Sequence, residues 1–68
     1  MSSTQTFTVT GMTCGHCVAS VTEEVQEISG VEDVAVDLPT GAVTITSAAP
    51  LDASAVRAAV EEAGYQLA

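Results

Sequence analysis

The chain has 68 residues, 47% of them hydrophobic, with one Phe, one Tyr and no Trp. A domain this short hides only about 60% of the surface its unfolded chain exposes, so its core of Val, Ile, Leu and Ala leaves no room for a substrate cavity of roughly 300–1,000 Å3. Nine acidic residues face one base, Arg57, for a net charge of −8; such a surface repels phosphate backbones and anionic lipid, so no nucleic-acid partner and no membrane attachment are expected.

Residues 1–9 hold no basic residue and no continuous apolar run, and no apolar stretch in the chain is long enough to insert into a bilayer. A cytoplasmic location follows as an expectation, one that keeps the two cysteines reduced. One domain over residues 1–68 is expected, with residues 1–4 a loose terminus. Residues 5–10 then alternate, Phe7 and Val9 on one face and Thr6, Thr8 and Thr10 on the other, which is the period of a half-buried strand. Residues 15–29 change period: Val18, Val21, Val25 and Ile28 recur at three and four, Glu23, Glu24 and Glu27 take the other faces, and Gly30 is the expected C-terminal cap.

Alternation returns over residues 31–38, with Val34, Val36 and Leu38 inward, and again over 42–47, with Val43 and Ile45 inward. Pro39, Thr40 and Gly41 between them supply turn chemistry, so the pair reads as a hairpin. Asp52 is the expected N-cap of a second helix whose stripe is Val56, Ala59, Val60 and Ala63, ended by Gly64. Residues 65–68 suffice for a short closing strand. Strand–helix–strand occurs twice, and right-handed crossovers put both helices on one face. The predicted fold is an α+β, ferredoxin-like βαββαβ sandwich with a four-stranded antiparallel sheet.

The only two cysteines, Cys14 and Cys17, lie in the run Gly11-Met12-Thr13-Cys14-Gly15-His16-Cys17. This places Cys14 in the loop after the first strand and Cys17 in the first helical turn. Unpaired amides and the helix dipole favour negative charge there by about 0.3–1 kcal/mol. One pKa unit is about 1.4 kcal/mol, so the dipole alone lowers a thiol by less than one unit, and a bound cation is expected to supply the rest. Two thiolates without an obligatory third ligand suit a soft ion of low coordination, Cu(I) best of all. Structural zinc needs four ligands, and no spacing here assembles them from two cysteines, His16 and a carboxylate.

The seven-residue run resembles the metal-binding motif of heavy-metal-associated (HMA) domains, and the chain is similar to the free bacterial copper chaperones of that family. The likeness extends to Gly30-Val31 and Ala63-Gly64-Tyr65 and covers residues 5–68. It implies that Cys14 and Cys17 are the Cu(I) ligands, that Met12 packs beneath the loop as a tether, and that Tyr65 approaches from the opposite loop. It also implies that Thr13 marks a copper-type member, where zinc- and cadmium-pump domains often carry an acidic residue. The implied partner is the metal-binding domain of a copper-transporting P-type ATPase, and the family resemblance allows a metal-bridged homodimer. His16, between the two ligands, is expected to point to solvent.

Two other readings keep the same residues. The chain could be the N-terminal domain of such an ATPase, against which Met1 precedes the first strand by few residues and Ala68 closes the last. Alternatively, Cys14-Gly15-His16-Cys17 resembles the redox tetrapeptide of protein disulfide isomerases, with a lowered thiol pKa at a helix N-terminus. Thioredoxin-like domains are longer and place Trp before the first cysteine, which this chain lacks. A merely structural bridge closes too small a loop to stabilise much. The expectation is therefore a carrier, not an enzyme.

Overall fold

In the computed structural model, which describes residues 2–68, the order is β1 (Ser3–Thr10), α1 (Gly15–Gln26), β2 (Val31–Asp37), β3 (Ala42–Ser47), α2 (Ala53–Glu62) and β4 (Gln66–Leu67). The strands form one sheet in the order β2-β3-β1-β4, every neighbouring pair antiparallel. Val9, Val43 and Ile45 from the sheet meet Val21 and Val25 of α1 and Val56, Ala59 and Val60 of α2 in one core. This is the ferredoxin-like sandwich that the alternation and helical periods predict. On the opposite face of the sheet the hydroxyls of Thr6 and Thr44 lie 3.3 Å apart across β1 and β3.

Two boundaries and the register of β2 differ from the sequence expectation. Residues 3–4 are not loose: β1 begins at Ser3, pairing Ser3 with Ser47 and Thr4 with Thr46. Short polar residues hide that strand from hydropathy. Ser47 is nonetheless fully buried, its hydroxyl donating to the Ala49 carbonyl at 2.6 Å. Met1 lies outside the described residues.

Helix α1 ends at Gln26, and Gly30 is not its cap. The last turn tightens into i→i+3 bonds, Glu27 N to Glu24 O at 3.2 Å and Ile28 N to Val25 O at 3.1 Å. A turn closed by Val31 N to Ile28 O then places Gly30 at φ +92°. Ile28 still packs on the core, so the apolar period outlives the helix. In β2 a bulge shifts the register between Val31 and Asp33, leaving Glu32 and Asp33 both exposed. The extra residue brings Val31 onto the core side with Val34 and Val36, which a regular strand could not do.

The turn after β2 depends on Gly41. Its backbone sits at φ +75°, its N–H donates to Asp37 O at 2.8 Å, and its carbonyl accepts from Val9 N at 2.8 Å. A Cβ on Gly41 would stand 2.5 Å from the Val9 carbonyl oxygen, so the hairpin can close against β1 only with glycine there.

Helix α2 starts as expected, with Asp52 accepting from Ser54 N. It ends in a Schellman motif: Gly64 at φ +94°, Gly64 N to Glu61 O at 2.9 Å and Tyr65 N to Val60 O at 3.0 Å. That motif delivers Tyr65 directly into β4, where Gln66 pairs with Thr10 and Leu67 with Val9. Because β4 runs antiparallel to β1, the end of β1, the start of α1 and the end of α2 converge at one end of the sheet.

Gly41→Ala should lower stability by about 2 kcal/mol or more, from the positive φ and the carbonyl clash together. In a domain of this size that is a fall of roughly 8–16 °C in thermal midpoint, read by circular dichroism. A midpoint within a degree or two of the native protein would contradict the proposed close contact.

Candidate metal centre

Residues 11–14 connect β1 to α1. Gly11 turns the chain at φ +92°, and Met12 is half-buried against the core while Thr13 and Cys14 stay at the surface. Cys14 is the N-cap of α1, in extended conformation (φ −157°, ψ 174°), and its side chain makes no capping bond. Its carbonyl accepts from Cys17 N at 3.1 Å and Val18 N at 3.3 Å. An N-cap normally uses a Ser, Thr, Asp or Asn oxygen to satisfy the first amides. Here the cap sulfur is left for Cys17, and the two Sγ atoms stand 3.5 Å apart.

The Cys17 thiol is held down to about 6 from an ordinary 9.0. The largest cause is the Thr13 backbone N–H, followed by the Tyr65 hydroxyl, the Cys14 side chain and, last, the Cys14 backbone N–H, with partial burial opposing them. The Thr13 hydroxyl lies 3.9 Å from the same sulfur. Tyr65 is shifted the other way: its interaction with Cys17, then burial, then the charge on Cys17 and Cys14 raise the phenol above its ordinary value. The lowering at Cys17 exceeds the share expected of the helix dipole alone, and hydrogen-bond donors are its cause. Hydrogen bonds to the charged form thus favour the Cys17 thiolate before any metal is bound.

Cys14, Cys17, Thr13 and Tyr65 are brought together; Met12 packs on the core, and His16 does not join. His16 is exposed at the second helical position, its carbonyl accepting from Ser20 Oγ at 3.1 Å. Among the described residues no group of three or more His, Cys, Asp or Glu is placed to hold a metal, so a four-ligand zinc site is not assembled. What the sequence reading did not assign is Gly11, whose Cβ position faces the Tyr65 ring, and the donor role of the Thr13 amide. A glycine opening the motif was the available signal for the first; nothing in side-chain identity reports the second. Beside the site a hollow of about 290 Å3 is lined by Thr10, Gly11, Gly64, Tyr65 and Gln66.

A ferredoxin-like sandwich presenting two thiols at the mouth of its first helix is a domain built to show sulfur at its surface. The model of the heavy-metal-associated domain family matches residues 6–66, and the chain belongs to that family. It is 44% identical over 63 residues to the copper chaperone CopZ of Enterococcus hirae, covering 91% of each chain. It is 38% identical over 63 residues to copper-transporting ATPase 1 of Rhizobium meliloti, covering 93% of this chain but 8% of that protein. A solved structure of the CopZ metallochaperone superposes with a TM-score of 0.89 at 31% identity, over 97% of this chain and 100% of that one. No helix of the described residues is long and apolar enough to cross a membrane.

Thiolate absorbance of the reduced, metal-free protein should show one group ionising near pH 6, and Tyr65→Phe should move that step upward by removing the second-largest stabilising donor. The sign carries over to folding. The stability this thiolate contributes is complete above the unfolded value near 9 and lost as pH falls to about 6, so the denaturant midpoint should rise with pH across that window. A step that stays put in Tyr65→Phe would remove the phenol from the site.

Proposed function

We propose that the protein is a Cu(I) carrier that holds the ion between Cys14 and Cys17 and passes it to the metal-binding domain of a copper-transporting P-type ATPase. The observation that carries this reading is the pair of sulfurs 3.5 Å apart at an uncapped helix start. The Cys17 thiol is held well below its ordinary value by the donors around it. Soft sulfur donors without a nitrogen or carboxylate partner favour Cu(I) over zinc, calcium or magnesium. The family match and the copper chaperone among its relatives support the same cargo.

Transfer proceeds by exchange of thiolates. At metal–sulfur distances of about 2.3 Å, sulfurs this close subtend roughly 100° at the ion, so a linear pair needs them to part by about 1 Å. Cys14 is the one free to move, being exposed and tied by no side-chain bond to the helix amides. An incoming thiolate of the partner attacks the ion, a three-sulfur bridge forms and Cys14 leaves; a second partner thiolate then binds as Cys17 leaves, so the ion keeps two sulfurs. No covalent bond of an organic substrate is made or broken, so the protein is a carrier and not an enzyme. It works in the cytosol, where thiols stay reduced, and two loaded copies can share ligands in a metal-bridged dimer.

A second reading, the metal-binding domain of an ATPase, is favoured by the match to 8% of the Rhizobium protein. It uses the same site and differs only in what is attached.

Cu(I) at a hundredfold excess over its dissociation constant should stabilise the reduced protein by about 2.7 kcal/mol, raising the thermal midpoint by roughly 10–20 °C. Cys14→Ser and Cys17→Ser should fold yet lose that shift, and Zn(II) should give far less of it. An unshifted melt with saturating Cu(I), or a full shift in either serine variant, would defeat the assignment.

A further inference from the structure

Strand β2 is an open edge of the sheet: among the described residues no strand lies beyond it. Which of its backbone groups are free follows from the alternation of an antiparallel ladder. Val9 N donates to Gly41 O, so Val43 and Ile45, in step with Gly41, turn their backbone bonds toward β1. Ala42 and Thr44 turn theirs toward Asp37 and Ala35, and Asp37 O accepts from Gly41 N at 2.8 Å. That leaves the N–H and C=O groups of Val34 and Val36 directed outward. Their side chains are half-buried, packed on the core as Val31 and Ile28 are, whereas Val43 and Ile45 of β3 are fully buried. The apolar layer therefore has an uncovered margin along β2.

Charge says what fits that margin. Asp33, Ala35 and Asp37 alternate with the two valines and lie exposed, so a carboxylate flanks each end of the free ladder. Glu32, by contrast, accepts from Ser2 Oγ at 2.8 Å and is drawn across the sheet. A second copy is a poor occupant. Antiparallel pairing centred on Ala35 would set Asp33 of one copy opposite Asp37 of the other, twice, between chains of net charge −8. The opposite edge lacks this signature, since neither β4 nor β1 bears an acidic side chain. We propose that the β2 edge docks an extended basic segment of a partner protein, which adds to the four-stranded sheet as a further antiparallel strand. Apolar residues of that segment lie opposite Val34 and Val36, and Lys or Arg opposite Asp33 and Asp37. Main-chain bonds hold the segment, and its alternate side chains select it. Strand β3 separates this edge from β1 and the cysteine loop that follows, so the inference goes beyond the carrier reading and does not depend on it.

The test uses the full, reduced, metal-free chain, isotope-labelled for nuclear magnetic resonance, and the probe acetyl-Thr-Lys-Val-Thr-Val-Lys-Thr-amide. Its palindromic core sets Lys opposite both Asp33 and Asp37. The peptide should shift the amide resonances of Val34 and Val36 most and slow their exchange with solvent. The same peptide with both valines N-methylated keeps its charge but has lost the donors that the ladder needs, and it should not bind. Nor should the version with Glu in place of Lys. Asp33→Asn with Asp37→Asn, at two exposed positions, should weaken the basic peptide about 2–30-fold. Alkylating both cysteines should leave its affinity unchanged.

Equal binding of the N-methylated peptide would reduce the effect to charge attraction and overturn the proposal. So would unaltered affinity in the double asparagine variant, or no shift at millimolar peptide. Loss of binding on alkylation, or the largest shifts falling outside residues 33–37, would move the peptide to another surface and defeat the assignment. Val34 and Val36 resonances that move when the protein alone is concentrated would give the edge to a second copy instead. None of these readouts uses copper, so failure of the carrier reading leaves the test of the β2 edge intact.

Discussion

The approach of the Cys14 and Cys17 sulfurs to 3.5 Å at the uncapped start of α1 is the arrangement on which the site depends. The Thr13 backbone N–H in the loop, the Tyr65 phenol after α2 and the Cys14 thiol at the helix cap all favour the charged form of Cys17. Thr13 and Cys14 are neighbours in the loop, and only Tyr65 is brought to them by the fold. The antiparallel pairing of β1 with β4 sets Thr10 opposite Gln66, and the Schellman end of α2 fixes where the chain enters β4. Remove either constraint and the phenol has no reason to face the loop.

The charge is placed against the tendency of the whole chain. A net −8 opposes one more anion and favours any cation that approaches. Screening confines that influence to about 8–10 Å at ordinary ionic strength, so the local donors decide the sulfur's state. Acidic residues elsewhere stand apart from the site chemistry. Glu24, half-buried, has its carboxyl raised first by desolvation and then by Glu27, Glu62 and Glu23. That crowding marks the face shared by α1 and α2 as anionic and free of zinc-type clusters among the described residues. The helix that bears Cys17 also does without a capping side chain and without an acidic residue in its first turn. Both omissions cost local stability, and both leave positive amide charge and open sulfur where a ligand thiolate is wanted.

Much of this was legible in the residues because each element's period agrees with its burial. Val9, Val21, Val25, Val43, Ile45, Val56 and Val60 all lie inward as alternation or helical spacing requires. Asp52 caps α2, and β3 has the expected bounds. Where the reading failed, a tertiary effect intervened. Ser3 and Thr4 join β1 because β3 offers them partners, Ile28 keeps a helical spacing after the helix has ended, and the bulge at Glu32 restores Val31 to the core. At the site, the identity and spacing of Cys14 and Cys17 were visible. The depth of the Cys17 shift was not, because it depends on a backbone N–H and on a ring brought from 48 positions away in the chain. A dipole argument sees only the helix it belongs to.

The central claim is that two sulfurs at the head of α1 bind one soft monovalent cation tightly without a third protein ligand. The most direct measurement is anaerobic titration of the reduced protein with Cu(I) in competition with a calibrated Cu(I) chelator, repeated after both cysteines are alkylated. The account predicts that the native protein withdraws one equivalent of Cu(I) per chain from the chelator and the alkylated protein withdraws none. Copper left entirely with the chelator, or withdrawn equally well by the alkylated protein, would contradict it.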